Sequence, residues 1–76
     1  MKSYFNQMSF GKRASLISTK GNYVAKRNYY NQRIALYAIG KIFVEATYEP
    51  ESNTLVKIEE VNFEVLNKFY LPHLEI

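Results

Sequence analysis

Apolar residues first recur at helical spacing. Phe10, Ala14 and Ile17 stand at i, i+4 and i+7, and Leu16 widens the stripe, so residues 9–20 read as an amphipathic helix. Ser9 offers an N-cap oxygen, Lys20 places a cation in the last turn, and Gly21 fits the C′ position. Gly11 in the first turn opposes the helix by about 1 kcal/mol relative to Ala. Upstream, residues 3–8 can add a turn with Phe5 and Met8 facing inward.

From Asn22 the texture changes to strand formers. Tyr23, Val24, Tyr29 and Tyr30 make residues 23–30 a strand. Asn31-Gln32 is a weak turn, since a tight hairpin usually carries Gly at its second position. Residues 33–39 form the next strand, and Gly40 is either a hairpin turn or a bulge in one longer strand. In residues 41–48, Ile42, Val44, Ala46 and Tyr48 share one face, with Phe43, Glu45 and Thr47 on the other. Glu49-Pro50-Glu51-Ser52-Asn53 is the clearest turn: Pro50 presets φ, and Ser52 and Asn53 can bond their own backbone. Residues 54–61 return as a strand with Val56, Ile58 and Glu60 as the expected core face. Asn62 can cap a short helix over 63–71, with Phe63, Leu66 and Tyr70 on one side, Val65 and Phe69 beside them, and Pro72 as the stop.

Short connections favour antiparallel neighbours. The expected fold is therefore α+β, a single small domain over 1–76: an N-terminal helix, an antiparallel meander of three or four strands, and a short C-terminal helix. Two layers result if both helices pack on one face of the sheet.

Composition limits the classes. A chain of 76 residues buries only about 60% of its unfolded surface, so the core is small. The apolar fraction of 47% is too high for a disordered chain. With no cysteine, disulfides and thiolate metal sites are excluded. No apolar run approaches the roughly 20 residues that span a bilayer, and the first residues lack the apolar stretch of a secretory signal. The expectation is a cytoplasmic protein with no membrane partner.

Charge divides the chain. Residues 1–44 hold eight bases and no acid, whereas residues 45–76 hold seven glutamates against Lys57 and Lys68. Either the basic half offers a surface to an anionic partner, or acidic and basic strands lie side by side and pair internally. The second is the leading expectation, because cross-strand charge pairs are common in antiparallel sheets.

The search for chemistry assigns no catalytic residue, no metal ligand and no cofactor, and the chain reads as a non-enzyme. His73 is the one histidine and follows Pro72, without a positioned partner. There is no aspartate. Glu59 and Glu60 are adjacent in a strand and point to opposite faces, so they cannot share a substrate. Glu45 lies between Val44 and Ala46 on the side of Phe43, where an ion pair with a base on the neighbouring strand is expected. Gly11-Lys12-Arg13 lacks the rest of a phosphate loop.

Two binding surfaces remain. An aromatic and basic cluster, Lys26, Arg27, Tyr29, Tyr30 and Arg33, suits single-stranded RNA or DNA, which is held by cations and stacked on exposed rings. Strict alternation would put Tyr23, Arg27 and Tyr29 on one face, and Lys26 and Tyr30 on the other. Tyr37, Ile42, Val44 and Tyr48 form a candidate protein interface if their face is open, for a homodimer or another protein partner. The leading functional expectation is a small non-enzymatic protein-interaction module able to self-associate; the alternative is a nucleic-acid-binding module.

The run Gly21-Asn22-Tyr23-Val24-Ala25-Lys26-Arg27, then Leu36-Tyr37, Phe43-Val44-Glu45 and Tyr48-Glu49-Pro50-Glu51-Ser52-Asn53, resembles a group of small uncharacterised bacterial proteins over residues 9–60. The resemblance implies that the helix-then-meander unit is a recurring domain, and it assigns no activity and no site.

Overall fold

The computed structural model describes residues 4–71. A short 3-10 turn, Phe5–Gln7, leads into helix α1, Phe10–Lys20. Four strands of eight residues follow, β1 (Asn22–Tyr29), β2 (Gln32–Ile39), β3 (Ile42–Glu49) and β4 (Thr54–Val61), and then helix α2, Phe63–Phe69. The sheet order is β1-β2-β3-β4, with every neighbouring pair antiparallel. The α+β class and the meander are as the pattern predicts. The expectations placed on Pro72 and His73 lie outside the described residues.

Local chemistry sets the element ends. The Lys12 amide donates to Ser9 Oγ at 3.1 Å, and the Val65 amide donates to Asn62 Oδ1 at 3.1 Å, so both expected N-caps form. Gly21 directly follows α1 with φ −78°, so it is not a left-handed cap. Its reason is space: a Cβ there would lie 2.6 Å from the Ile17 carbonyl oxygen. Gly40 makes a hairpin turn rather than a bulge, with Ile39 paired to Ile42 and φ +58° at the first loop position. Tyr30 takes the corresponding place between β1 and β2 with φ +54°, a conformation a bulky residue seldom adopts. Asn53, at φ +56°, is better suited to it and closes the last turn by donating its amide to the Glu49 carbonyl at 2.8 Å.

Strand β3 is the centre of the packing. Val44, Glu45, Ala46 and Thr47 are consecutive and all buried, so both faces of the sheet are covered there. On one face Phe5, Val44 and Ile58 form a core, joined by Met8, Ala14, Leu16 and Ile17 from the N-terminal segment and by Ile39, Ile42 and Leu55. This is the helix-on-sheet pair of layers. On the other face lie Leu36 and Ile34, which pair in register with Glu45 and Thr47. There the end of α2 covers Glu45, to which the Tyr70 hydroxyl donates. The two helices thus take opposite faces rather than the shared face expected from their apolar stripes. The buried carboxylate of Glu45 supplies the reason: it lies on the face opposite α1, and Tyr70 at the end of α2 donates to it.

Both edge strands carry a bulge. The β1–β2 register slips between Tyr23 and Ala25, leaving Val24 unpaired, and the β3–β4 register slips between Thr47 and Tyr48, where Val56 is the extra residue. Leu55 therefore joins the core side, while Val56, expected inside, is 44% exposed. Bulges bend an edge away from foreign strands.

Gly21→Ala should destabilise the domain by about 1–3 kcal/mol, as overpacking does. Gly11→Ala, where an added Cβ meets nothing within 4 Å, should be neutral or stabilising by up to about 1 kcal/mol. Urea unfolding of the two variants against the parent checks the contrast.

Candidate nucleic-acid interface

The sheet brings the expected site residues together in a different grouping from the one simple alternation gives. The bulge at Val24 rotates the start of β1. Tyr23 now pairs with Tyr37, on the side of the sheet that also carries Lys26, which faces Ala35, and Arg33, which faces Tyr48. Arg27 and Tyr29 lie on the opposite side, where Arg27 pairs in register with Ile34 and Tyr29 with Gln32. The grouping of Tyr23 with Arg27 and Tyr29 is therefore corrected: an unpaired residue reverses the alternation on either side of it. Tyr30 belongs to neither face and stands at the hairpin tip, 88% exposed.

The protein-interface set also divides. Val44 is fully buried and Ile42 packs against the same core, so the N-terminal segment closes that half of the face. Tyr37 and Tyr48 lie beyond it and remain open in part. They form a trough with Tyr23, Lys26, Arg33 and Asn53, with Ala35 in its floor and a volume of about 350 Å³. The small side chain of Ala35 is what leaves room for it. The rings of Tyr23 and Tyr37 meet edge to face at 5.9 Å. Arg33 Nη2 donates to Asn53 Oδ1, which ties the first hairpin to the last turn and fixes the guanidinium at the trough mouth. Burial, then the neighbouring Tyr48 and Tyr23, push the Tyr37 hydroxyl above its ordinary pKa, so it stays protonated at neutral pH. Among the described residues, no carboxylate lines the trough.

The opposite side of the sheet holds a different kind of cluster. Arg27 Nε donates to Glu45 Oε2 at 2.9 Å and Nη2 donates to Oε1 at 3.3 Å. The Tyr70 hydroxyl donates to Glu45 Oε2 at 2.6 Å. The Arg27 guanidinium also lies 4.2 Å from the centre of the Phe69 ring, a cation–π contact that α2 supplies. Burial, the largest single effect, would lower the Arg27 pKa, but the hydrogen bonds and charge interactions with Glu45 and Tyr70 together outweigh it and the pKa is raised. Tyr70 is pushed well above its ordinary value by burial first and by its bond to Glu45 second. The ion pair expected for Glu45 is present, though its base comes from β1, two strands away, rather than from a neighbour. All three groups are engaged with one another, so Arg27 is held as a structural cation.

Charge follows the strand order. The basic strands β1 and β2 occupy one side of the sheet and the acidic strands β3 and β4 the other. Cross-strand pairing of opposite charges is therefore not the general arrangement. Glu45 even faces Glu59 directly, a repulsive pair that is offset by Arg27 on one carboxylate and by Lys57 Nζ, 3.3 Å from Glu59 Oε1, on the other. Arg27–Glu45 bridges the two halves. Among the described residues, Lys26 and Arg33 have no carboxylate partner. No group of three or more histidine, aspartate or glutamate side chains able to hold a metal occurs among the described residues, and no helix there is long and apolar enough to cross a membrane. No protein-family model, no curated protein and no solved structure matches the chain.

Glu45→Ala should cost about 3 kcal/mol, the low end for a broken buried pair, because Arg27 keeps 17% side-chain exposure and the repulsion with Glu59 is relieved. Stability should also fall at alkaline pH. The unfolded chain releases tyrosine protons near pH 10, whereas Tyr70 and Tyr37 hold theirs when folded, so their contribution is complete below about pH 10 and is lost as pH rises through the folded values. Tyr70→Phe should flatten that decline and lower stability at neutral pH by about 1.5–3 kcal/mol, the worth of a hydrogen bond to a charged acceptor. Denaturant unfolding across pH checks both statements.

Proposed function

We propose that this protein binds single-stranded nucleic acid across the trough of β1, β2 and β3. The observation that carries the reading is the convergence of Lys26 and Arg33 with Tyr23, Tyr37 and Tyr48 in one open trough that no carboxylate among the described residues lines. Cations of this kind hold phosphates, and part-exposed rings on a rigid sheet accept unstacked bases. Of the residues first grouped as a nucleic-acid site, Lys26 and Arg33 keep that role, Arg27 leaves it for the ion pair with Glu45, and Tyr23, Tyr37 and Tyr48 enter it. The protein-contact reading is left with Tyr37 and Tyr48, both of which lie in this trough, and the bulged edges of the sheet disfavour self-association by strand pairing.

The phosphate contacts predict a salt signature. The binding constant for a labelled single-stranded RNA or DNA, read by anisotropy, should fall steeply with salt, its logarithm against log salt having a slope of about −0.7 per phosphate neutralised. Lys26→Ala and Arg33→Ala should each reduce that slope by about 0.7. Tyr23→Ala, at a position 58% exposed and so gentle on the fold, should weaken binding by about 1–3 kcal/mol at constant salt slope. An absence of binding at low salt would sink the proposal, and displacement by polyglutamate with no preference for single strands would transfer the trough to acidic peptides.

A further inference from the structure

We infer that the binding track does not end in the trough but passes round the β1 edge to the hairpin tip, where Tyr30 stacks an outer base of the same strand. The inference rests on the nucleic-acid reading above and extends its footprint. Three observations carry it. The first is strain: Tyr30 holds φ +54° and yet is 88% exposed, so its ring gains almost no burial for the backbone cost. Gly40 occupies the same position of the next hairpin, which shows what that turn geometry favours. A tyrosine kept at such a place is explained by something outside the fold.

The second observation is a hollow on the far side of β1, of about 390 Å³, lined by Lys26, Tyr29, Phe69 and Tyr70 among others and, like the trough, by no carboxylate. Lys26 lines both hollows, so one cation serves the point at which a chain of phosphates would cross the edge strand. The third is ring geometry. Tyr29 and Tyr30 meet edge to face at 4.6 Å, which holds the Tyr30 ring against its neighbour while leaving most of it in solvent. Six residues lie between Tyr23 and Tyr30, so the two are at most about 23 Å apart at about 3.3 Å per step, a distance a very short oligonucleotide does not cover.

The experiment compares the intact protein with Tyr30→Gly and Tyr30→Phe on labelled oligothymidylates of roughly three and roughly ten nucleotides, within the range of small single-strand modules. Tyr30→Gly should raise Tm by relieving the turn, weaken the longer oligonucleotide by about tenfold, the order of one lost stacking contact, and leave the shorter one unchanged. Tyr30→Phe, which keeps the ring and the strain, should retain parental affinity and parental Tm. If the parent binds and Tyr30→Gly binds both lengths equally well, the outer platform is refuted while the trough stands. If the parent binds neither length, the nucleic-acid reading falls and takes this extension with it.

Discussion

The buried carboxylate of Glu45 is the constraint around which the rest of the sheet is arranged. β3 is covered on both faces, and an ionised group in such a place is tolerated only when it is paired and hydrogen-bonded. The sheet meets that demand with Arg27 from β1 and Tyr70 from the residue after α2, so one charge fixes the relation of three elements distant in sequence. α2 is short, and an isolated helix of its length would not persist in water. Its place against the sheet is defined by Tyr70 on Glu45 and Phe69 on the Arg27 guanidinium.

That same pairing separates structural from available charge. Arg27 and Lys26 are adjacent in sequence and both cationic, yet the strand turns one toward Glu45 and the other toward the trough, whose described lining holds no carboxylate. The net result is a sheet with a basic side and an acidic side, bridged by the Arg27–Glu45 pair. Lys26, Arg33 and the tyrosines around Ala35 have no carboxylate partner among the described residues, which is what the proposed function draws on. A strip of exposed rings costs a small domain part of the burial it needs, and the proposed function accounts for that cost at the trough and the hairpin tip.

Much of the fold was legible because it rests on local physics. The helical stripe through Ala14, Leu16 and Ile17, the caps at Ser9 and Asn62, the alternation in residues 41–48 and the Pro50–Asn53 turn each carry their own signal, although Phe10, expected in that stripe, is 43% exposed. The inward faces of Phe5 and Met8 were legible for the same reason. The site was legible only as a composition. Tyrosines and bases crowd the first two strands, but which of them share a face depends on a bulge that leaves no mark in the sequence, since Val24 looks like an ordinary strand residue.

By itself, then, the sequence determined the element types, the antiparallel meander, the absence of thiol chemistry and the division of charge between the two halves. Each of these follows from residue identity over a few neighbouring positions. Tertiary structure alone decided that α1 and α2 take opposite faces, that Glu45 draws its cation from two strands away, that Val44 and Ile42 are closed while Tyr37 and Tyr48 stay open, and that Tyr23 joins Lys26 rather than Arg27. The physical reason is that burial and register are properties of the assembled sheet. One extra residue in an edge strand reverses the facing of its neighbours, and one buried charge selects partners by where they come to lie in space rather than by their distance along the chain.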